Sequence, residues 1–290
     1  MTVDVVERIG RVGVWTQLLS RAEPQFQEEN AEAAAELDEL GFGTLWLGGS
    51  PAVERAAPLL AATRRITVAT GILSVWSKDA ASVAQDVAAL GSSGAERFLL
   101  GLGVSHGPMT PGYGRPMEKM AEFLDGLDGA GQPVPSEQRV LAALGPKMLE
   151  LSARRSAGAH PYLVTVEHVA RSREVLGKGK VLAPELGVVL DADRARARET
   201  ARGALSPYLG LPNYTRNWLR LGFTEEDLAN GGSDTLLDAL FVLGDTADVR
   251  TRVAAFHEAG ADHVALQVIR RDGTLPREEW RQLAQALPIR

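Results

Sequence analysis

The chain has 290 residues, 45% of them hydrophobic, enough to bury a large core in one or two domains or in a single α/β barrel of roughly 250 residues. It contains no cysteine, which excludes disulfides, thiolate nucleophiles, Fe–S clusters and zinc ribbons together. Its 31 basic and 37 acidic residues leave a net charge of −6, which argues against nucleic acid as a partner. No run of about 18 apolar residues occurs, and the opening MTVDVVERIGR has two acids among its first seven residues and no apolar leader region. The expectation is a soluble, untargeted protein of the cytoplasm that does not enter a membrane.

In chain order, residues 12–15 (VGVW) form a short apolar strand, and the helix after it carries an apolar stripe of Phe26, Ala33, Ala34, Leu37 and Leu40. Gly41 ends that helix. Residues 44–48 and 65–72 are the second and third strands, joined by a short helix interrupted at Pro58. Ser77 or Asp79 caps the next helix, in which Val83, Val87 and Leu90 repeat at helical spacing before Gly91 stops it. The fourth strand is RFLLGLG, residues 97–103. A helix at 118–127, a strand at 139–144, a helix at 147–155, a strand at 161–165, a helix from Val166 and a strand at 186–191 bring the count to seven strands. Residues 263–269 (HVALQVI) supply the eighth. An internal echo supports the repeat: DELGFGTLWL at 38–47 and HEAGADHVAL at 257–266 each run from a helix end through a left-handed glycine into a strand. Eight strands with interposed helices predict an α/β fold, a closed (β/α)8 TIM barrel in which residues 1–290 form one domain.

One connection breaks the rhythm, between the seventh and eighth strands. Its middle, residues 206–240, is rich in aromatics and turn residues and reads as an insertion that either covers the barrel mouth as a lid or builds a subunit contact. Tyr208, Asn213, Tyr214 and Trp218 stand out there, with plain packing as the simpler role for Trp218. The basic run Arg194, Arg196, Arg198 and Arg202 reads as a solvated helix face.

GLGVSH, residues 101–106, follows a strand and begins G-x-G, yet its third small residue is replaced by His106 and it belongs to the fourth unit, so it is not a dinucleotide fingerprint. Its glycines either let backbone approach a flat ligand or simply make a tight turn. In LGPKM, residues 144–148, glycine and proline open a helix whose free amides suit a phosphate, with Lys147 adding charge. Of the five histidines, His168 and His257 fall in helices and His263 opens a strand, which points to structural or surface roles. His160 precedes its strand. His106 follows the carboxyl end of the fourth, the catalytic face of such barrels, with a pKa suited to proton transfer. No HExxH, no paired histidines and no G-x-S-x-G elbow occur, so neither a metal site nor a serine hydrolase is expected.

Taken together, TGILSVW, VAQDVAAL, GAERFLLGLGVSH, AALGPKMLELSARRSAGAHPYLVT, the GLPNY and GGSD region and the final AGADHVALQV resemble the bacterial luciferase-like monooxygenase superfamily. Within it the chain is most similar to actinobacterial oxidoreductases that use the deazaflavin coenzyme F420. The resemblance implies a (β/α)8 barrel with an insertion, and a bulge after strand three with a non-prolyl cis peptide, by position Gly71–Ile72. It implies that Thr70, Gly71 and Ile72 back the cofactor ring, that Ser105 and His106 lie beside it, and that Leu144, Gly145, Pro146 and Lys147 meet its phosphate. Gly158, Ala159 and His160 form an adjoining turn. Gly48 and Gly49 stand where many relatives carry an Asp-His pair, and His106 stands where many carry an acid. Trp15, Trp76, Tyr208, Asn213 and Tyr214 are the candidate substrate-side residues. The implied activity is F420-dependent hydride transfer to or from a small, partly apolar substrate, with His106 moving the proton and a homodimer favoured by analogy. The alternatives are an FMN-dependent monooxygenase and a non-catalytic F420 carrier.

Overall fold

The computed structural model describes residues 5–289; the first four residues of the opening segment read above lie outside it. The strands are β1 (Val12–Thr16), β2 (Thr44–Leu47), β3 (Thr67–Thr70), β4 (Leu73–Ser74), β5 (Phe98–Gly103), β6 (Arg139–Leu141), β7 (Gly158–Ala159), β8 (Val181–Leu182), β9 (Glu185–Leu190), β10 (Phe241–Gly244) and β11 (Val264–Val268). The longer helices are α1 (Val5–Ile9), α2 (Pro24–Leu40), α3 (Ala56–Ala62), α4 (Ala80–Ala89), α5 (Gly91–Glu96), α6 (Pro116–Asp128), α7 (Pro146–Arg155) and α8 (Val166–Leu176). They continue as α9 (Arg194–Leu205), α10 (Pro212–Arg220), α11 (Glu225–Leu228), α12 (Asp234–Leu240), α13 (Thr246–Glu258) and α14 (Arg277–Ala286). Among the described residues, no helix is long and apolar enough to cross a membrane.

All strand pairs are parallel, in the order β10-β9-β11-β1-β2-β3-β5-β6-β7-β8, with β4 beside β5. Only Ala183 and Pro184 separate β8 from β9, so the two are one strand broken where proline has no N–H to give. The ring closes through this strand. Glu185 N–H reaches Pro161 O on one side at 2.9 Å, and Ala265 N–H reaches Pro184 O on the other at 2.9 Å. The expected TIM-barrel-like α/β fold is therefore what the chain adopts.

Alternation along the strands sorts the core into two layers. Val12, Val14, Leu45, Leu47, Val68, Leu186 and Leu266 face outward and pack with the helices. Trp15, Trp46, Ala69, Leu99, Val140 and Ala265 fill the interior. The interior also holds imidazoles. Trp46 stacks on His160 at 4.1 Å between centroids and donates its Nε1–H to His263 Nε2 at 3.0 Å, while His263 Nδ1 bonds Gly10 O at 2.8 Å. Gly13 makes room for this arrangement, since a Cβ there would lie 2.7 Å from the His263 ring.

Several elements differ from the sequence reading. The sixth strand is β7, residues 158–159, and not residues 161–165, so His160 follows its strand and lies on the active face. An additional strand, β10, pairs with the outer edge of β9 inside the long connection. Asp79, not Ser77, caps α4 by accepting from Ser82 N–H. As expected, α4 ends just before Gly91, which adopts φ +73°; what the sequence reading lacks is the short helix α5 that starts there. The echoed glycines behave alike: Gly41 at φ +95° and Gly260 at φ +106° both sit in the left-handed region.

Burial lowers His160 and His168 to about 4 and His263 to about 3, so all three are neutral inside the fold. The unfolded chain binds protons at these sites below roughly pH 6.5, the ordinary histidine value, and stability therefore falls as pH drops from there toward the folded values. Glu185, raised to about 8 by burial, works the other way: the folded state holds its proton while the unfolded state releases it, so its contribution to stability is lost as pH rises from the ordinary value of 4.5 to about 8, a loss that three histidines outweigh below pH 6.5. Urea midpoints should peak near pH 6.5, with an alkaline decline that disappears in Glu185→Gln; an unchanged alkaline limb in that variant contradicts this account.

Candidate active site

The loops at the carboxyl ends of the barrel strands enclose one cavity of about 610 Å³, roofed by the segment from Pro207 to Arg220. Its size and largely apolar lining suit a small organic molecule or cofactor.

The back wall is built around Trp15. Its indole Nε1–H donates to Gly71 O at 2.9 Å, and a Cβ on Gly71 would lie 2.8 Å from that nitrogen. A Cβ on Gly48 would overlap the outer edge of the same ring. Glycine at both positions is thus the condition for the indole to lie where it does. The Gly71–Ile72 peptide is cis, as the resemblance implies, and forms the bulge between β3 and β4. Ser50 Oγ accepts Ser74 N–H at 2.9 Å and pins the far side of the bulge. The glycines of GLGVSH serve this wall. A side chain at Gly101 would collide with Thr70 O, and one at Gly103 with the Ile72 side chain. Thr70 bridges the strands, with its Oγ1 donating to Gly101 O and accepting Gly101 N–H, each at 2.8 Å.

His106 stands at the cavity edge, half-buried, with Nδ1 3.2 Å from Asn213 Oδ1 and its ring 5.5 Å from that of Tyr214. Because a carbonyl oxygen accepts, Nδ1 carries the proton and Nε2 keeps its lone pair. Burial lowers the His106 pKa, a shift the Asn213 bond opposes, so the neutral form prevails at neutral pH. Ser105 beside it adopts φ +56° and accepts from Thr110 Oγ1 at 2.9 Å. His160 also lines the cavity; its Nδ1 bonds Ala183 O at 2.6 Å, and Nε2 is buried without a partner.

Tyrosines form the remaining wall. Tyr162 packs 5.2 Å from Trp15 and donates to Gln267 Oε1 at 2.9 Å; Tyr208 and Tyr214 meet edge to face at 5.0 Å. Burial pushes the phenols of Tyr162 and Tyr214 well above their usual range, so they remain protonated. Trp218 does not line the cavity. It is fully buried and donates to Leu163 O at 3.1 Å, which is a packing role.

Of the residues singled out from the sequence, the cavity brings together Trp15, Gly49, Gly71, Ile72, Ser105, His106, Leu144, Gly145, His160, Tyr208, Asn213 and Tyr214. Gly48, Thr70, Gly158 and Ala159 lie one layer behind it, buried or at strand ends. Pro146 and Lys147 are exposed on the first turn of α7, outside the lining. Trp76 donates to Val104 O at 2.7 Å and lies tilted against Tyr113, which does line the cavity, with ring centroids 5.6 Å apart. Tyr162, Arg216 and Arg220 escaped the sequence reading. Placing residues 161–165 in a strand hid Tyr162 as a loop residue. The arginines share a helical face with Asn213, a spacing visible in NYTRNWLR.

Residues 11–130 match the family model of luciferase-like monooxygenases, which bears out the resemblance over that segment. No curated protein matches the chain. Among solved structures, an F420-dependent secondary alcohol dehydrogenase in complex with an F420-acetone adduct superposes with a TM-score of 0.71 at 14% identity, covering 97% of this chain and 98% of its own. F420-dependent tetrahydromethanopterin reductase from Methanopyrus kandleri gives the same values. The FMN-bound oxygenating constituent of 3,6-diketocamphane monooxygenase from Pseudomonas putida gives 0.69 at 14%, covering 95% and 96%. At such identity the likeness establishes a shared fold.

The Trp15 wedge is testable. Gly48→Ala should destabilise the protein by about 1–3 kcal/mol through overpacking. The same change should cost less than about 1 kcal/mol in a Trp15→Phe background, because phenylalanine lacks the outer ring edge; a double-mutant cycle by urea denaturation reads the coupling.

Proposed function

We propose that this luciferase-like chain is a coenzyme F420-dependent oxidoreductase that exchanges a hydride with a small, partly apolar substrate at a hydroxyl- or carbonyl-bearing carbon. The observation that carries the reading is His106: a neutral imidazole at the cavity edge, oriented by Asn213, with one nitrogen free to take or return a proton. A carrier protein has no need of such a group.

Three features favour a flat tricyclic cofactor with a phosphate. The bulge at Gly71–Ile72 supplies a backing surface, the unpartnered Nε2 of His160 offers an acceptor to a ring N–H, and the Lys147 amide at the uncapped start of α7 suits a phosphate. When bound, the deazaflavin supplies the carbon that donates or accepts the hydride. The protein supplies position and the proton path. His106 Nε2 accepts the hydroxyl proton in the oxidative direction and returns it in the other, while Asn213 holds the ring so that the lone pair faces the cavity. Trp15, Tyr162 and Tyr214 exclude water from the reacting carbon.

Equilibrium dialysis with F420 and with FMN tests the cofactor: F420 should bind, and binding of FMN alone, with oxygen consumed by the reduced flavin, points to the monooxygenase instead. His106→Ala should keep F420 affinity within threefold and lower turnover by 100-fold or more. In the wild type, kcat/KM for alcohol oxidation should rise with pH through a value below 6.5, because only the neutral imidazole accepts a proton. Full turnover in His106→Ala removes the assignment.

A further inference from the structure

Helix α10 presents three polar side chains along one line. At 100° per residue, Asn213, Arg216 and Arg220 fall within an arc of about 60°, set apart from Tyr214 and Trp218, which anchor the helix in the roof. All three line the cavity. Arg216 and Arg220 are exposed, and neither holds a carboxylate. Arg220 donates only to Asn217 Oδ1, at 3.3 Å, and Arg216 has no hydrogen bond or ion pair among the described residues.

The contrast with the neighbouring helix is sharp. On α9, Arg194, Arg196, Arg198 and Arg202 are all paired with carboxylates of Asp191, Asp193, Asp234 or Asp238, so the basic run is a solvated face whose charges are compensated. The cavity itself is lined by no aspartate or glutamate, in a chain that carries 37 acidic residues. Glu185 interacts with Tyr162, Tyr208 and Tyr214 without lining the cavity, and burial keeps it protonated up to about pH 8. Nothing in the lining cancels the two guanidiniums. Like charges four residues apart on a helix repel, and a bound oxyanion turns that repulsion into paired attraction.

We propose that Arg216 and Arg220 clamp a carboxylate or phosphate group of the ligand at the cavity mouth, on the same helical face that positions His106. Guanidinium forks suit such groups because they bond both oxygens at once. The inference rests on the oxidoreductase reading only for the source of the anion, which is either the substrate or the anionic tail of the cofactor.

Calorimetric titrations of the wild type and of the Arg216→Ala/Arg220→Ala double variant separate these sources. The probes are benzoate, neutral benzyl alcohol, F420, and the deazaflavin riboside that lacks phosphate and tail. Both arginines are exposed, so the variant should fold. A substrate clamp is supported by a tenfold or greater loss of benzoate affinity, with benzyl alcohol and F420 within twofold. A cofactor clamp is supported by a tenfold or greater loss of F420 affinity with the riboside within twofold. Benzoate and F420 affinities both unchanged in the variant overturn the proposal, as does a wild type that binds neither at low salt. A wild type that binds benzoate through the arginines and does not bind F420 upholds the clamp and removes the deazaflavin reading.

Discussion

The active face of this barrel depends on where one indole lies. Trp15, at the end of β1, reaches across β2 to the bulge after β3, bonded to Gly71 O and flanked by two positions where any Cβ would collide with it. Its outer face then supports Tyr162, and through Tyr162 the tyrosines of the roof. The absence of side chains at Gly48 and Gly71 is therefore a shape requirement of the wall. At Gly48 the space that a side chain would need is taken by the aromatic ring, whereas Gly49, at φ +80°, meets no closer neighbour than Gln17 at 3.7 Å.

The roof works by splitting one helix between two tasks. Tyr214 and Trp218 commit α10 to the apolar cluster that includes Leu205, Leu211, Leu237 and Phe241. The rest of its surface is left to face the cavity, where Asn213 meets His106. Electrostatics divides along the same line: carboxylates are spent on the α9–α12 seam and none is placed in the cavity.

Much of this was legible in the sequence, and the exceptions have physical causes. The strand-helix alternation, the left-handed glycines at 41 and 260 and the cavity residues at strand ends follow from local chemistry that each segment carries by itself. The sixth strand is not legible because PYLVT is as apolar as any strand, and only pairing to β6 and β8 decides that Gly158–Ala159 forms the ladder. Strand β10 escaped because FVLG is short and is stabilised by β9, which lies some fifty residues earlier. The roles of Gly48, Gly101 and Gly103 depend on which side chains neighbouring strands place against them, a relation no single segment encodes.

The apolar cluster of the roof has a consequence for how substitutions there are felt. Its members include Leu163 at the barrel rim, Val189 of β9 and Phe241 and Leu243 of β10, and a hydrogen bond from Trp218 to the Leu163 carbonyl adds to these ties. Cooperative units of a protein open independently when their contacts are mostly internal. The doorway and the reaction chamber share β9 and β10 and so are not such units: a substitution that loosens the packing of the roof reaches the chamber wall as well.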